Sequence, residues 1–230
     1  MLLWLGCSSI YLDKGIKKLF NYTEAIIKSK GVVIPMIIDR EGIQGMDVSH
    51  YQFKINWSKV EQEGIYFAYM KATEGLHMKD SYFKSNWKKI GNTKIKRGAY
   101  HFFLPKSNVQ QQFNNFSNSV ILENGDMVPL LDVEVSQGMS SANLRSNVRT
   151  WLKLAEDHYG VKPLIYSTQG FYNTHFKGHF AEYDFVIARF NSKPPYLLDK
   201  RKLNFWQYTD SGMVKGVKVE VDRQVFQGSA

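Results

Sequence analysis

From Gly42 onward, short apolar runs alternate with stretches in which apolar residues recur every three or four positions, the pattern of strands that cross over through helices. Eight runs read as strands, at 43–48, 66–72, 98–103, 128–135, 164–167, 185–188, 204–208 and 217–222. Four amphipathic stretches, at 57–63, 81–90, 109–122 and 142–158, read as helices between them. The helices are plain in the first half and weak later. A complete (β/α)₈ barrel takes about 250 residues, so the pattern predicts an α/β fold: an irregular single-domain β/α barrel, TIM-like, with late helices reduced or missing. Ahead of it, Ile16, Leu19, Phe20, Ala25 and Ile26 are spaced for a helical lead-in, and Gly31 and Pro35 bracket a short extended segment at 32–38. The chain therefore divides into a lead-in at 1–41 and a barrel domain at 42–230.

In parallel α/β structures, function sits at the carboxyl ends of the strands. Ionisable and aromatic residues do fall there. Asp47 to Gln52 follow the first strand, Lys71 to Gly75 the second, Tyr100 and His101 the third; Asp132 and Glu134 end the fourth, and Asp222 lies on the last. The most informative group is Asp132-Val133-Glu134, which follows the apolar run Met127-Val128-Pro129-Leu130-Leu131. Alternation along a strand points both acids the same way and Val133 the other. Like charges held side by side repel and raise each other's proton affinity, so folding alone does not ask for the pair. Chemistry does, when one group gives a proton while the other stays ionised.

The length of 230 residues and an apolar content of 43% suit a folded domain with a sizeable core. Cys7 is the single cysteine, which excludes a disulfide framework and a thiolate metal site. A net charge of +9, spread along the chain, suits an acidic partner such as an anionic cell-wall polymer; no nucleic-acid motif accompanies it. No apolar stretch reaches the roughly 20 residues of a spanning helix. The start, MLLWLGCSS, reads like the tail of an export signal and resembles a lipobox in which Cys7 carries a lipid, with an ordinary chain terminus as the alternative. An exported protein is expected, secreted or attached to the cell envelope, with Cys7 as the membrane attachment.

The segments Gly45-Met46-Asp47-Val48-Ser49-His50-Tyr51-Gln52, Lys71-Ala72-Thr73-Glu74-Gly75, Gly98-Ala99-Tyr100-His101-Phe102, Leu131-Asp132-Val133-Glu134 and Trp206-Gln207-Tyr208 occur in the order seen in family 25 glycoside hydrolases, which the chain resembles over about 42–228. The resemblance implies a lysozyme of the muramidase type: an irregular barrel that cuts the β-1,4 bond from N-acetylmuramic acid to N-acetylglucosamine in peptidoglycan. By the same resemblance Glu134 matches the proton donor, Asp132 the acid beside it, Asp47 the acid ending the first strand and Asp222 the acid on the last. Phe53 departs from a frequent glycine and Asn56 from a frequent aspartate, both on the loop after the first strand.

Glu134, crowded by acids, is the expected general acid, with Asp132 ionised and acting as nucleophile or as orienter of the substrate's acetamido group. Asp47 and Asp222 either hold the acetamido group and water or close the barrel by hydrogen bonds. Tyr100, Tyr166 and Trp206 are candidates for a sugar-stacking floor, against the alternative of barrel core. His101 and Glu74 are further candidate substrate contacts, His50 a structural histidine, and His175 with His179 a surface loop rather than a metal pair. No metal or organic cofactor is required, and a monomer acting on glycan strands is expected. The competing readings are a barrel that binds wall without cutting it, and a glycosidase acting on chitin.

Overall fold

The computed structural model describes residues 42–228; the expected lead-in helix, the segment at 32–38 and Cys7 lie outside them. Strand β1 (Ile43–Val48) pairs in parallel with β2 (Phe67–Glu74), and β2 pairs in parallel with β4 (Lys96–Phe102). The parallel series continues through β5 (Leu130–Asp132), β6 (Leu164–Thr168), β7 (Phe185–Ala188) and β8 (Phe205–Gly212). Strand β9 (Val221–Phe226) then runs antiparallel to both β8 and β1, which closes the barrel. The eight-stranded, closed, TIM-like barrel predicted from the sequence is the observed fold.

Helices α1 (Trp57–Gln62), α2 (Phe83–Ile90), α3 (Val109–Ser117) and α4 (Ser141–Tyr159) cover the outside of the first half. After β6 only a short α5 (Gln169–Phe171) and a π turn at Tyr172–Phe176 follow, so the late helices are indeed reduced. Asn56, Asn108 and Ser140 start α1, α3 and α4 by accepting a backbone N–H on their side chains. An asparagine oxygen serves α1 as well as a carboxylate would.

Four elements differ from the sequence reading. Regular pairing in β5 is three residues long because Pro129 brings no N–H to the ladder. Helix α3 stops at Ser117, where the Ser117 and Ser119 hydroxyls bond carbonyls of the preceding turn and end the run. Strand β9 begins four residues later than expected, and a two-residue β3 (Met78–Lys79) hairpins onto β2.

Inside the barrel, Ile43, Phe67, Tyr69, Leu130, Leu164, Val186, Phe205 and Phe226 pack together. Each such burial stabilises by about 1.5–3 kcal/mol. Two glycines make this possible. A Cβ on Gly45 would sit 2.3 Å from the Phe67 ring, and one on Gly98 would sit 2.4 Å from Tyr69. A second, larger layer lies between the strands and the helices, centred on the fully buried Trp151. The inner layer plugs the lower barrel, so polar side chains at the strand ends have one open direction, the upper rim.

Candidate active site

Alternation decides which residues reach that rim. On β1 the inward series is Ile43, Gly45, Asp47; on β5 it is Leu130, Asp132 and, one step past the paired strand, Glu134. Val133 between the acids is fully buried on the outer side, and its N–H and C=O are fixed by Tyr166 O and Ser167 Oγ at 3.0 and 2.9 Å. Because β9 runs antiparallel, its beginning lies at the same rim, and Asp222 stands directly across the ladder from Asp47. Four acids, Asp47, Asp132, Glu134 and Asp222, thus line one cleft of about 420 Å³, within the range of small-molecule sites. Tyr100 and Tyr166 line it too.

Asp47 is held on both oxygens. Gln224 Nε2 donates to Oδ1 at 2.6 Å and Gln207 Nε2 to Oδ2 at 2.7 Å, while Tyr166 Oη donates to Gln207 Oε1 at 2.9 Å. Burial and the neighbouring Asp222 push the Asp47 carboxyl well above its ordinary value, and the two amide donors work against them. Two donors at that distance are the environment of a carboxylate. Asp222 is pushed up to about 6, first by burial and then by Asp210 and Glu134. Burial likewise raises the Tyr100 and Tyr166 phenols, with the surrounding carboxylates adding to it, so both stay neutral.

Asp132 and Glu134 titrate as a pair. Burial raises both; Glu134, Asp47 and Asp222 push Asp132 further, while Lys71 lowers both. Asp132 lies deeper, at 8% exposure, and its Oδ1 is buried without a hydrogen bond from the described residues. Burial thus raises Glu134, as the sequence suggests, and raises Asp132 with it. A buried, unpaired carboxyl oxygen favours the neutral form. A donor brought to that oxygen would favour the ionised form of Asp132.

Lys71, which the sequence places at the end of the second strand without a role, enters the cleft. It is the cation of the cleft lining, its Nζ bonded to Glu74 Oε2 at 2.6 Å and lying 4.9 Å from the centre of the Phe102 ring. Glu74 thus stands beside the cleft as an anchor for Lys71, outside the lining itself. Gln207 and Gln224 likewise have no role in the sequence reading.

Two expected contacts lie elsewhere. His101 neighbours Tyr100 on β4 and so faces outward. It is fully buried, stacked on Trp151, and bonded through Nδ1 to Thr73 Oγ1 and through Nε2 to Gln112 Oε1 at 2.7 and 3.3 Å. Burial pushes it down to about 4, a neutral ring that orders the helix layer. Trp206 flanks the inward Gln207 and packs outside the barrel with Tyr208 and Val225, its indole N–H on Arg189 O at 2.9 Å. Neither is among the residues that line the cleft. His50 is tied to Asp80 through both its backbone N–H and Nδ1. His175 bonds Ser141 Oγ and leans on Phe171, away from the site.

The family model described as "Glycosyl hydrolases family 25" matches residues 46–217. The chain is 38% identical over 208 residues to the "Uncharacterized protein YegX" of Escherichia coli K12, covering 88% of this chain and 75% of that protein. It is 36% identical over 206 residues to "Lysozyme M1" of Streptomyces globisporus, covering 84% and 70%. Among solved structures, a family 25 glycosyl hydrolase from Bacillus anthracis superposes with a TM-score of 0.78 at 32% identity, over 87% of this chain and 96% of that one.

Proposed function

This chain belongs to family 25 of the glycosyl hydrolases and is a glycoside hydrolase, and on that premise we propose that it cleaves the β-1,4 bond between N-acetylmuramic acid and N-acetylglucosamine in peptidoglycan, with Glu134 as general acid and Asp132 as its partner. The observation that carries this reading is the pair itself: two carboxyls on one wall of a cleft, one deep with an unpaired oxygen, the other part-exposed toward the space a substrate would occupy.

The geometry suggests how the proton comes to the right acid. A 2-acetamido N–H delivered to Asp132 Oδ1 supplies the missing donor and lets Asp132 ionise. The proton passes to Glu134, which gives it to the glycosidic oxygen as the bond to the anomeric carbon breaks. The ionised Asp132 then orients the acetamido group, whose carbonyl oxygen attacks the anomeric carbon from the opposite face, and water later opens that ring with retention. Asp47, fixed by two glutamines, and Asp222 supply further negative potential for the oxocarbenium-like transition state. Tyr100 and Tyr166, neutral phenols, offer O–H donors and ring faces to the sugar.

Glu134→Gln should lower turnover of purified peptidoglycan on the order of 100- to 10,000-fold, the usual contribution of a general acid, with no fall in melting temperature. The reducing ends released by the unmodified enzyme should be muramic acid. Glucosamine ends would overturn the bond assignment, and near-normal turnover by the variant would remove Glu134 from the role. The relative named a lysozyme supports this substrate over chitin. All four acids are present, which favours cutting over binding alone. The reading extends to an exported chain lipidated at Cys7, supported by the apolar residues ahead of that cysteine; intact-mass measurement of membrane-extracted protein tests it.

A further inference from the structure

The turn after β1 ends on a residue whose backbone does not suit it. Phe53 has φ 54 and ψ −138, dihedrals like those of the first central position of type II′ turns, where glycine dominates because a Cβ is crowded. Phe180 also has a positive φ of 57, but its ring is buried to 1% among Phe176, Tyr183 and Phe185, so packing holds it there. Phe53 has no such excuse: it is 53% exposed, with one edge-to-face contact to Tyr82 at 6.4 Å. A backbone cost retained for an exposed aromatic ring points to function rather than to stability.

Its position says which function. Tyr51 and Gln52, the two residues before it, line the cleft, and Tyr51 is 68% exposed. The turn is held rigidly. Asp80 accepts from the His50 N–H and from Tyr82 N–H, while Gln52 donates to Glu220 O at 3.0 Å, tying the turn to the approach of β9. Exposed Lys54 follows Phe53, and exposed Tyr51 and the Tyr82 ring flank it. Phe53 itself stands one residue past those that line the cleft, and an exposed aromatic ring there suits the apolar face of a pyranose.

We propose that Phe53 is a stacking platform that lengthens the cleft by one pyranose ring of a longer glycan strand, an inference that rests on the glycan-cleaving reading above. The probe is a set of peptidoglycan glycan oligomers of graded length, titrated calorimetrically into the Glu134→Gln protein, which holds substrate without cutting it. Affinity should rise with length, and Phe53→Gly should lose the last step, roughly five- to tenfold, the range of an aromatic contact. Phe53→Tyr should keep that step, and the melting temperature of Phe53→Gly should be unchanged or raised. Equal length dependence in Phe53→Gly, loss of the step in Phe53→Tyr, or a fall in melting temperature without loss of the step would each overturn the proposal. If the unmodified enzyme digests no peptidoglycan and the Glu134→Gln protein binds no oligomer, the cleavage reading has failed first. Digestion with an indifferent Phe53 sinks only this inference.

Discussion

A single cation among several acids has a disproportionate effect on their chemistry. Lys71 on β2 meets Asp47 from β1, Tyr100 from β4, Asp132 and Glu134 from β5, Tyr166 from β6 and Asp222 from β9 around one cleft. Its charge lowers both members of the proposed catalytic pair against burial, which raises them. Glu74 keeps the ammonium in place. Lys71→Met should therefore raise both carboxyls. The proposed mechanism needs Asp132 ionised and Glu134 protonated in the complex. A higher Asp132 value costs rate at the acidic end of the pH profile, and a higher Glu134 value extends the alkaline end. The expected outcome is a bell displaced bodily to higher pH, measured as kcat against pH on solubilised wall. A drop in rate with both limbs unmoved would mean that Lys71 only positions substrate.

At the scale of strands, the period of two explains both what could be read and what was misread. The eight strands and the four acids were legible because apolar runs and carboxylates at their ends are rare in combination. Tyr100 and His101 are adjacent, as are Trp206 and Gln207, so neither pair can put both members into the cleft. Counting inward from Leu130 to Asp132 and from Phe205 to Gln207 would have chosen Gln207 over Trp206. Gln224, two residues beyond Asp222, follows by the same rule. The antiparallel turn of β9 was not legible, since alternation carries no direction. The inward glycines give this scale its own test. Gly98→Ala drives a Cβ to 2.4 Å from the Tyr69 ring and 3.0 Å from Met127. Overpacking of this kind costs about 1–3 kcal/mol, to be read as a lower denaturation midpoint with unchanged slope. An unaltered midpoint would show that the inner layer can yield.

The whole barrel pays for its chemistry by gathering four carboxyls where water is scarce. The balance has a definite sign. Asp222 titrates at about 6 in the folded chain against an ordinary 3.8, so the native state keeps a proton that the unfolded chain releases. Its contribution is greatest below the ordinary value and is lost as pH rises through about 6. Asp47, Asp132 and Glu134 are shifted in the same direction. The surface acids Asp199 and Glu182 are shifted down and act oppositely, but only as pH falls below the usual carboxylate range. His101, pushed down to about 4 by burial, acts oppositely in the same interval as the cleft acids, because the unfolded chain takes up a proton there that the native ring does not. Between about pH 5 and pH 7 the cleft acids lower the melting temperature as pH rises while His101 raises it, and Asp222 itself contributes a downward slope. Asp222→Asn removes one of these charges without changing the size of the side chain. It should flatten that slope and raise the melting temperature at pH 7 by a few degrees, while lowering turnover, the trade expected where a strained site is kept for function. A melting temperature that drops instead would assign the Asp222 side chain to holding the barrel closed.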